Sequence, residues 1–413
     1  MSASTPRSTW VCLGDKTLPL ERLRAQPEQH PRLFEAARAA LGHGLCLCTE
    51  QPLRLVIRLR AGRYHLAGWP GEGTQHNGHC PFFKLAPDLT GLTTYTRAAI
   101  EERGDTTTIS LRQPLDLRPG ERDTPAPADP SPATSGRNSV SLLGLLHWLW
   151  EQAGLNRWHA GDHTRHWRTL HTAIVDVSAT CSVNQRPLTE ALHTVAPYQP
   201  HDAARISHAF DQFASTLGRR DGGHRRGLFL GEIREITPTA AGHRLAFRHT
   251  RVPVFTSKDM LRRATRSHPH AFASSRPDHS RQIALVLVEK TDRGNLGAVD
   301  MCAMLANRDY IPADSAAEVH AADHLIARGR TFIKPCRYEA ADAVFPDFVL
   351  TDADCPDGLA YFEVWGLAGH EEYERRRSAK ERHYARSGAT LIGWDVTTTP
   401  LSAVQLPPIR PAR

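Results

Sequence analysis

Polar and apolar residues alternate through LRLVIRLR (53–60) and again through YHLAGW (64–69), with a tight AGR step between them. Side chains two apart share one face of a strand, so the pair predicts a β-hairpin. Further on the period lengthens. SLLGLLHWLWEQAGL (141–155) is apolar on nearly every side and predicts a buried helix; Trp167, Leu170, Ile174 and Val177 recur at helical steps, as do Ile206, Phe210, Phe213 and Leu217. GLFLGEIREI, HRLAFRHTRVPVF and QIALVLVEK read as strands, with a short helix from Lys258 to His268 among them.

The C-terminal stretch has the clearest layout. A helix from Ser315 to Arg328 precedes three strands, around TFIKPCRY, PDFVLTD and LAYFEVWG; a charged helix from His370 to Arg386 and a strand TLIGWDV follow, giving the order α-β-β-β-α-β. DTPAPADPSPATSG, by contrast, has no apolar period and predicts an extended linker. The expected chain is multidomain α+β: an N-terminal arm (1–40), a hairpin module (41–113), a Pro-rich linker (114–140), a helical domain (141–226), a β-rich segment (227–305) and a C-terminal α/β domain (306–413).

The formal charge of +7 favours a polyanion among the partners. Of the 51 basic residues six are Lys (16, 84, 258, 290, 334 and 380), which leaves 45 Arg. A GC-rich genome is the bland cause, yet Arg also suits bidentate contacts to phosphate. No apolar run reaches the roughly 18 to 20 residues that span a bilayer, and MSASTPRSTW lacks a signal-peptide pattern, so a cytoplasmic protein with no membrane partner is expected. Cysteines 12, 181, 302, 336 and 355 are isolated and read as small core residues of a reducing compartment.

The other three cysteines cluster. Cys46-Leu-Cys48 precedes the hairpin, and GEGTQHNGHC follows it with His76, His79 and Cys80. Two cysteines spaced by one residue on a strand point the same way, and the hairpin returns the chain to them, so Cys46, Cys48, His76 and Cys80 supply four ligands for a tetrahedral structural Zn²⁺ in a zinc-ribbon-like β unit. His79 competes with His76 for the fourth place. The bland alternative is a chance C-x-C in a chain with 23 histidines.

Two acids interrupt the apolar C-terminal strands: Asp347, after Pro346, and Glu363 within YFEVW. Hydrolysis of a phosphodiester calls for a divalent cation, and Mg²⁺ or Mn²⁺ is best held by carboxylate oxygens. Element order and acids together resemble the PD-(D/E)XK nucleases, whose restriction-endonuclease-like core carries an Asp at the start of its second strand and a Glu on the third. That resemblance implies Asp347 and Glu363 as metal ligands. The Lys that usually follows two residues after the Glu is replaced here by Trp365. Tyr373, Arg377, Lys380 and Tyr384 share one face of the next helix, so Lys380 is the expected substitute, with Arg377 second. Glu318 is a third candidate acid, though Ser315-x-x-Glu318 is also a capping box that accounts for it. Singly, Asp347 reads as a strand-start polar residue and Glu363 as an edge carboxylate. The His run at 159–171 and the tryptophans at 148, 150, 158 and 167 read as helix surface and helix core.

CLCT, PGEGTQHNGHCPFF, LLHWLWEQAGLNRW, GEIREI, SAAEVHAADHLIARGRTFIKP and PDFVL…FEVWG together resemble a bacterial family of unknown function that is common on plasmids and integrative conjugative elements, over most of residues 41–396. The expected activity is metal-dependent DNA cleavage linked to mobile-element transfer or maintenance, with nucleic acid, DNA above RNA, and mobile-element proteins as partners. The alternatives are a non-catalytic nucleic-acid-binding or assembly protein that retains the nuclease-like fold beside a structural zinc module, and a partner-recognition scaffold.

Overall fold

In the computed structural model, which describes residues 9–60, 62–103, 106–117, 137–220, 223–338, 345–366 and 371–411, Leu53–Arg60 and Arg63–Gly68 pair antiparallel as a hairpin. Residues 118–136, the greater part of the Pro-rich stretch, lie outside the described residues, as do residues 1–8 of the expected arm and His370, the expected start of the charged helix. The hairpin is the edge of an antiparallel sheet ordered Lys16–Pro19, Trp10–Leu13, His43–Cys46, Leu53–Arg60, Arg63–Gly68. Helices Leu20–Ala25 and Pro31–Ala40 bury Leu20, Leu23 and Phe34 against Val11, Leu13, Leu55 and Ile57. Each such side chain contributes about 1.5–3 kcal/mol of transfer free energy.

The apolar helix, Leu142–Gln152, is buried along every residue from Gly144 to Trp150, and Ser141 caps it by accepting from the Gly144 N–H. Helices Trp167–Ser178 and Ala203–Thr216 follow, with short strands between them: Cys181–Val183 pairs parallel with Thr106–Ile109, and Leu192–Thr194 pairs parallel with Gly227–Pro238. One hydrophobic core joins these helices to the strands beyond, through Trp148, Trp150, Trp167, Phe213, Phe229, Phe247 and Val286.

Those strands are Gly227–Pro238, His243–Phe247, Val254–Thr256, Arg281–Lys290 and Leu296–Ala306. The first pairs with the second and also with the fourth, so the pairings close into a ring. Residues Gly227–Glu232 face the fourth strand and Ile233–Pro238 the second, with a bulge at the crossover.

The C-terminal sheet runs Thr390–Asp395, Ala360–Trp365, Phe348–Leu350, Phe332–Ile333, Arg157–Trp158, with the first two parallel and the rest antiparallel. Alternation sorts its two faces. Phe332, Phe348, Leu350, Ala360 and Phe362 pack on Ala321, Ala322 and Leu325 of helix Ala316–Ala327, whereas Ile333, Val349 and Tyr361 pack against Phe83 and Leu85. On that second face Tyr384 of helix Glu371–Ser387 stacks on Tyr361, centroids 5.1 Å apart. Among the described residues no helix is long and apolar enough to cross a membrane.

A buried ion pair fastens this sheet to the C-terminal tail. Arg330 meets both Asp352 oxygens, with Nη2 at 2.7 Å from Oδ1, and its Nη1 donates to the Pro407 carbonyl at 2.9 Å. Their side chains are 3% and 1% exposed. Arg330→Ala leaves the Asp352 charge uncompensated and is expected to lower stability by about 3–5 kcal/mol, while Arg330→Met with Asp352→Leu recovers most of it. Urea unfolding of the three proteins checks this, and equal losses in the single and double variants would refute it.

Candidate functional site

Cys46 ends its strand, and Cys48 follows by one extended step. His76 and Cys80 come from the turn after the hairpin, where Phe82 N–H points at Cys80 Sγ at 3.5 Å. The sulfurs of Cys46 and Cys80 are 3.6 Å apart; His76 Nδ1 lies 3.3 Å from Cys48 Sγ and 3.6 Å from Cys80 Sγ. Four ligands at ordinary Zn–S and Zn–N distances stand about 3.8 Å (S to S) and about 3.5 Å (S to N) apart on a tetrahedron, so the donors present fit zinc. Among the described residues this set forms a group whose ligand atoms all lie within 4.8 Å of one another. His76, rather than His79, belongs to it. Crowding sets the protonation: bonds from Cys46 and Cys80 hold the Cys48 thiol well below its ordinary value, while Cys46 is pushed up to about 12, first by its bond to the Cys48 sulfur.

On the C-terminal sheet Phe348 pairs with Phe362, so one step further Asp347 stands opposite Glu363. The Asp347 N–H donates to the Phe362 carbonyl at 3.1 Å, and Asp347 Oδ2 accepts from Val364 N–H at 2.8 Å. Alternation places both acids on the face of Val349 and Tyr361. Asp347 is 4% and Glu363 0% exposed. The Lys380 ammonium lies 2.7 Å from Glu363 Oε2 and donates to the Phe345 carbonyl at 2.8 Å, and Tyr384, one turn on, donates its hydroxyl to Glu363 Oε1 at 3.0 Å. Trp365, where the motif would have Lys, carries the Arg377 guanidinium 5.3 Å and the Lys380 ammonium 5.8 Å from its ring. Arg377 itself bonds Asp395 and Glu381.

Glu318 sits in the first turn of its helix, at the cap. Its N–H donates to the Ser315 cap at 3.1 Å and its Oε2 accepts from the Asp314 N–H at 2.9 Å, while the same oxygen meets Lys334 Nζ at 2.8 Å. Burial, and then the Asp347 charge against Lys380, push Glu363 up to about 8; burial against Lys334, with Asp347 and Asp314 adding, pushes Glu318 up to about 7. Glu363 and Glu318 thus each feel the Asp347 charge, while among the described residues the group of three or more donors at ligand spacing is the Cys/His set and not these carboxylates.

Lys334, Arg337 and Asp314 complete the cluster, and sequence reading passed over all three. Lys334 bridges Asp314 and Glu318, both at 2.8 Å, with its side chain 1% exposed; Arg337 bridges Asp314 at 3.1 Å and Asp347 at 2.5 Å. Burial alone would lower the Lys334 value, but Asp314 and Glu318 hold it above the ordinary range. A lysine inside an apolar strand, in a chain with six, was the available signal.

Behind the cluster, His147 is 5% exposed and its Nδ1 accepts the Tyr338 N–H at 3.1 Å. Burial pushes it down to about 4. The folded value lies below the unfolded one, so the unfolded chain takes up the proton first and stability falls as pH drops from 6.5 toward 4, by about 3 kcal/mol at the lower end. Urea midpoints at neutral pH and near pH 5 should separate for the wild type and separate less for His147→Gln.

No curated protein and no solved structure matches the chain. The family model that matches, DUF1173, a protein of unknown function, spans residues 19–397 and so takes in both the Cys/His group and the acid cluster: the chain belongs to that family.

Proposed function

We propose that the C-terminal unit is a Mg²⁺- or Mn²⁺-dependent DNA nuclease of the PD-(D/E)XK type, held beside a structural zinc module and acting in the cytoplasm in mobile-element transfer or maintenance. The observation that carries it is the juxtaposition of Asp347 and Glu363 on neighbouring strands with the Lys380 ammonium on Glu363. The α-β-β-β-α-β order of the unit supports the same reading.

Asp347 and Glu363 would hold the ion, and Glu318 would support it from outside its ligand shell; their oxygens are the donor type that hard cations take, and all three carboxylates are buried at 0–5% exposure. The ion when bound neutralises the phosphate and lowers the pKa of its water. Lys380 has three donors, of which Glu363 and Phe345 take two, so the third orients the attacking water. Tyr384 fixes the other Glu363 oxygen. Arg337, the more exposed cation of the cluster with 37% of its side chain accessible, turns from Asp347 to the substrate phosphate.

A second reading draws on a specific feature: each acid already has a cation, Asp347 with Arg337, Glu363 with Lys380 and Glu318 with Lys334. A site so balanced suits a nucleic-acid-binding or assembly protein that keeps the fold without the chemistry. Incubation of the purified protein with linear, circular and single-stranded DNA, with and without Mg²⁺ or Mn²⁺, decides between them. Cleavage that requires the cation is expected; intact DNA under every condition leaves the second reading.

A further inference from the structure

The ring of five strands described above runs first, second, third, fifth, fourth and back to first, with the third and fifth parallel and every other neighbouring pair antiparallel. Helix Lys258–Ser267 links the third strand to the fourth. This is the connectivity of a five-stranded Greek-key barrel, a fold that binds oligonucleotides on its second and third strands. The cleft of this barrel, about 470 Å³, lies instead at its first and fourth strands and the connection after its second, and belongs to neither candidate metal centre.

Four guanidinium groups line that cleft: Arg165, Arg234, Arg248 and Arg281. Arg234 is the extra residue of the first strand's bulge, since Ile233 pairs with Phe247 and Glu235 with Ala246. It is exposed, and among the described residues it has no ion-pair partner. On the floor, Glu232 is 2% exposed and accepts from Arg248 at 2.8 Å, Arg281 at 3.2 Å and the Tyr310 hydroxyl at 3.0 Å. Arg165 spends its donors on the Leu155 and Arg157 carbonyls and on Asp162. Positive charge is left over, and Arg281 Nε is buried with no acceptor.

Two further features face the same space. Helix Trp167–Ser178 starts there without a side-chain cap, so its positive end is open to an anion. His249, exposed at the rim, lies parallel to the Trp167 ring with centroids 6.2 Å apart. His249 and Tyr310 both hold a left-handed backbone, φ +65°, a conformation that costs of order 1 kcal/mol or more and clusters at ligand sites.

We propose that this cleft binds single-stranded nucleic acid, with the arginines and the helix end on its phosphates and His249 stacked on a base. A free nucleotide shares the phosphate chemistry, but an exposed rim with an unpaired Arg and a stacking ring favours a strand that continues past the cleft.

The test is fluorescence anisotropy of a labelled single strand of about 20 nucleotides on the full chain with no added divalent cation, at roughly 50 and 200 mM salt. Arg234→Glu is expected to weaken binding about tenfold or more, His249→Ala about fivefold, and Arg234→Ala to reduce the salt slope by about one, with thermal unfolding unchanged in all three. Wild-type affinity in both Arg234→Glu and His249→Ala overturns the assignment. So does a mononucleotide that competes as well as the strand, or a duplex that binds more tightly. Binding without cleavage leaves this inference standing and removes the nuclease reading; cleavage without these effects does the reverse.

Discussion

Asp347→Asn and Glu363→Gln should each reduce cation-dependent DNA cleavage by about a thousandfold, because each removes a charged oxygen ligand and with it the cation's hold on phosphate and water. Each amide keeps its side chain's hydrogen bonds to the sheet and helix but discharges one ion pair, Arg337–Asp347 or Lys380–Glu363. At position 347 the amide oxygen still accepts from Val364 N–H, and the loss is confined to the Arg337 pair. At position 363 the amide oxygen turns to Lys380, and the Tyr384 hydroxyl reverses to accept. Both variants should stay folded, with a melting temperature lowered by the loss of one ion pair, while cleavage falls by that factor. Lys380→Ala should cost less than either acid but still show in kcat, and Lys380→Arg should fall between, since a guanidinium cannot reproduce a compact three-donor ammonium wedged between Glu363 and Phe345. Undiminished cleavage in both acid variants would mean that a different site, or a contaminant, does the chemistry.

Lys380 was legible because helical spacing fixes which residues share a face, and the face of Tyr373, Arg377, Lys380 and Tyr384 does turn to the sheet, with Tyr373 accepting from Gly366 N–H at 2.6 Å. The Cys/His set was legible for a related reason: its four members lie at the two ends of one hairpin, so local pairing alone gathers them. Long-range pairing leaves no such mark. Trp158 reads as helix core and the run from His159 as helix surface, yet Arg157–Trp158 is the edge strand of a sheet whose other strands begin at Phe332, Trp158 packs in that sheet's core, and residues 159–166 are not helical. The closed barrel is equally invisible, since it depends on one strand dividing its length between two partners. Lys334 stands out as a lysine beside the apolar strand Phe332–Ile333, but that signal does not name its partners Asp314 and Glu318, which only long-range packing brings to it.

Zinc should be present at about one ion per chain, and Cys48→Ser or Cys80→Ser should lose it and unfold the N-terminal sheet, because structural sites of this kind are worth roughly 10 kcal/mol or more of folding free energy. Without a dication the cluster is poorly satisfied: three sulfurs crowd an imidazole, and His76 Nε2 is buried without a partner. The damage should not stay local. A Cβ at Gly78 would come within 2.7 Å of the Thr351 carbonyl, so the ligand loop lies directly on the C-terminal sheet, and Arg157 donates from that sheet's edge strand to the Cys80 and Phe83 carbonyls. Chelation should accordingly lower the melting temperature of the whole chain and abolish any cleavage, although no zinc ligand belongs to the acid cluster. Cys12→Ser is the control, since Cys12 Sγ donates to the Gly14 carbonyl at 3.3 Å and should leave the metal in place. Stoichiometric zinc retained in Cys48→Ser and Cys80→Ser, or none in wild-type protein made in zinc-replete medium, would reduce the group to a hydrogen-bonded thiol cluster.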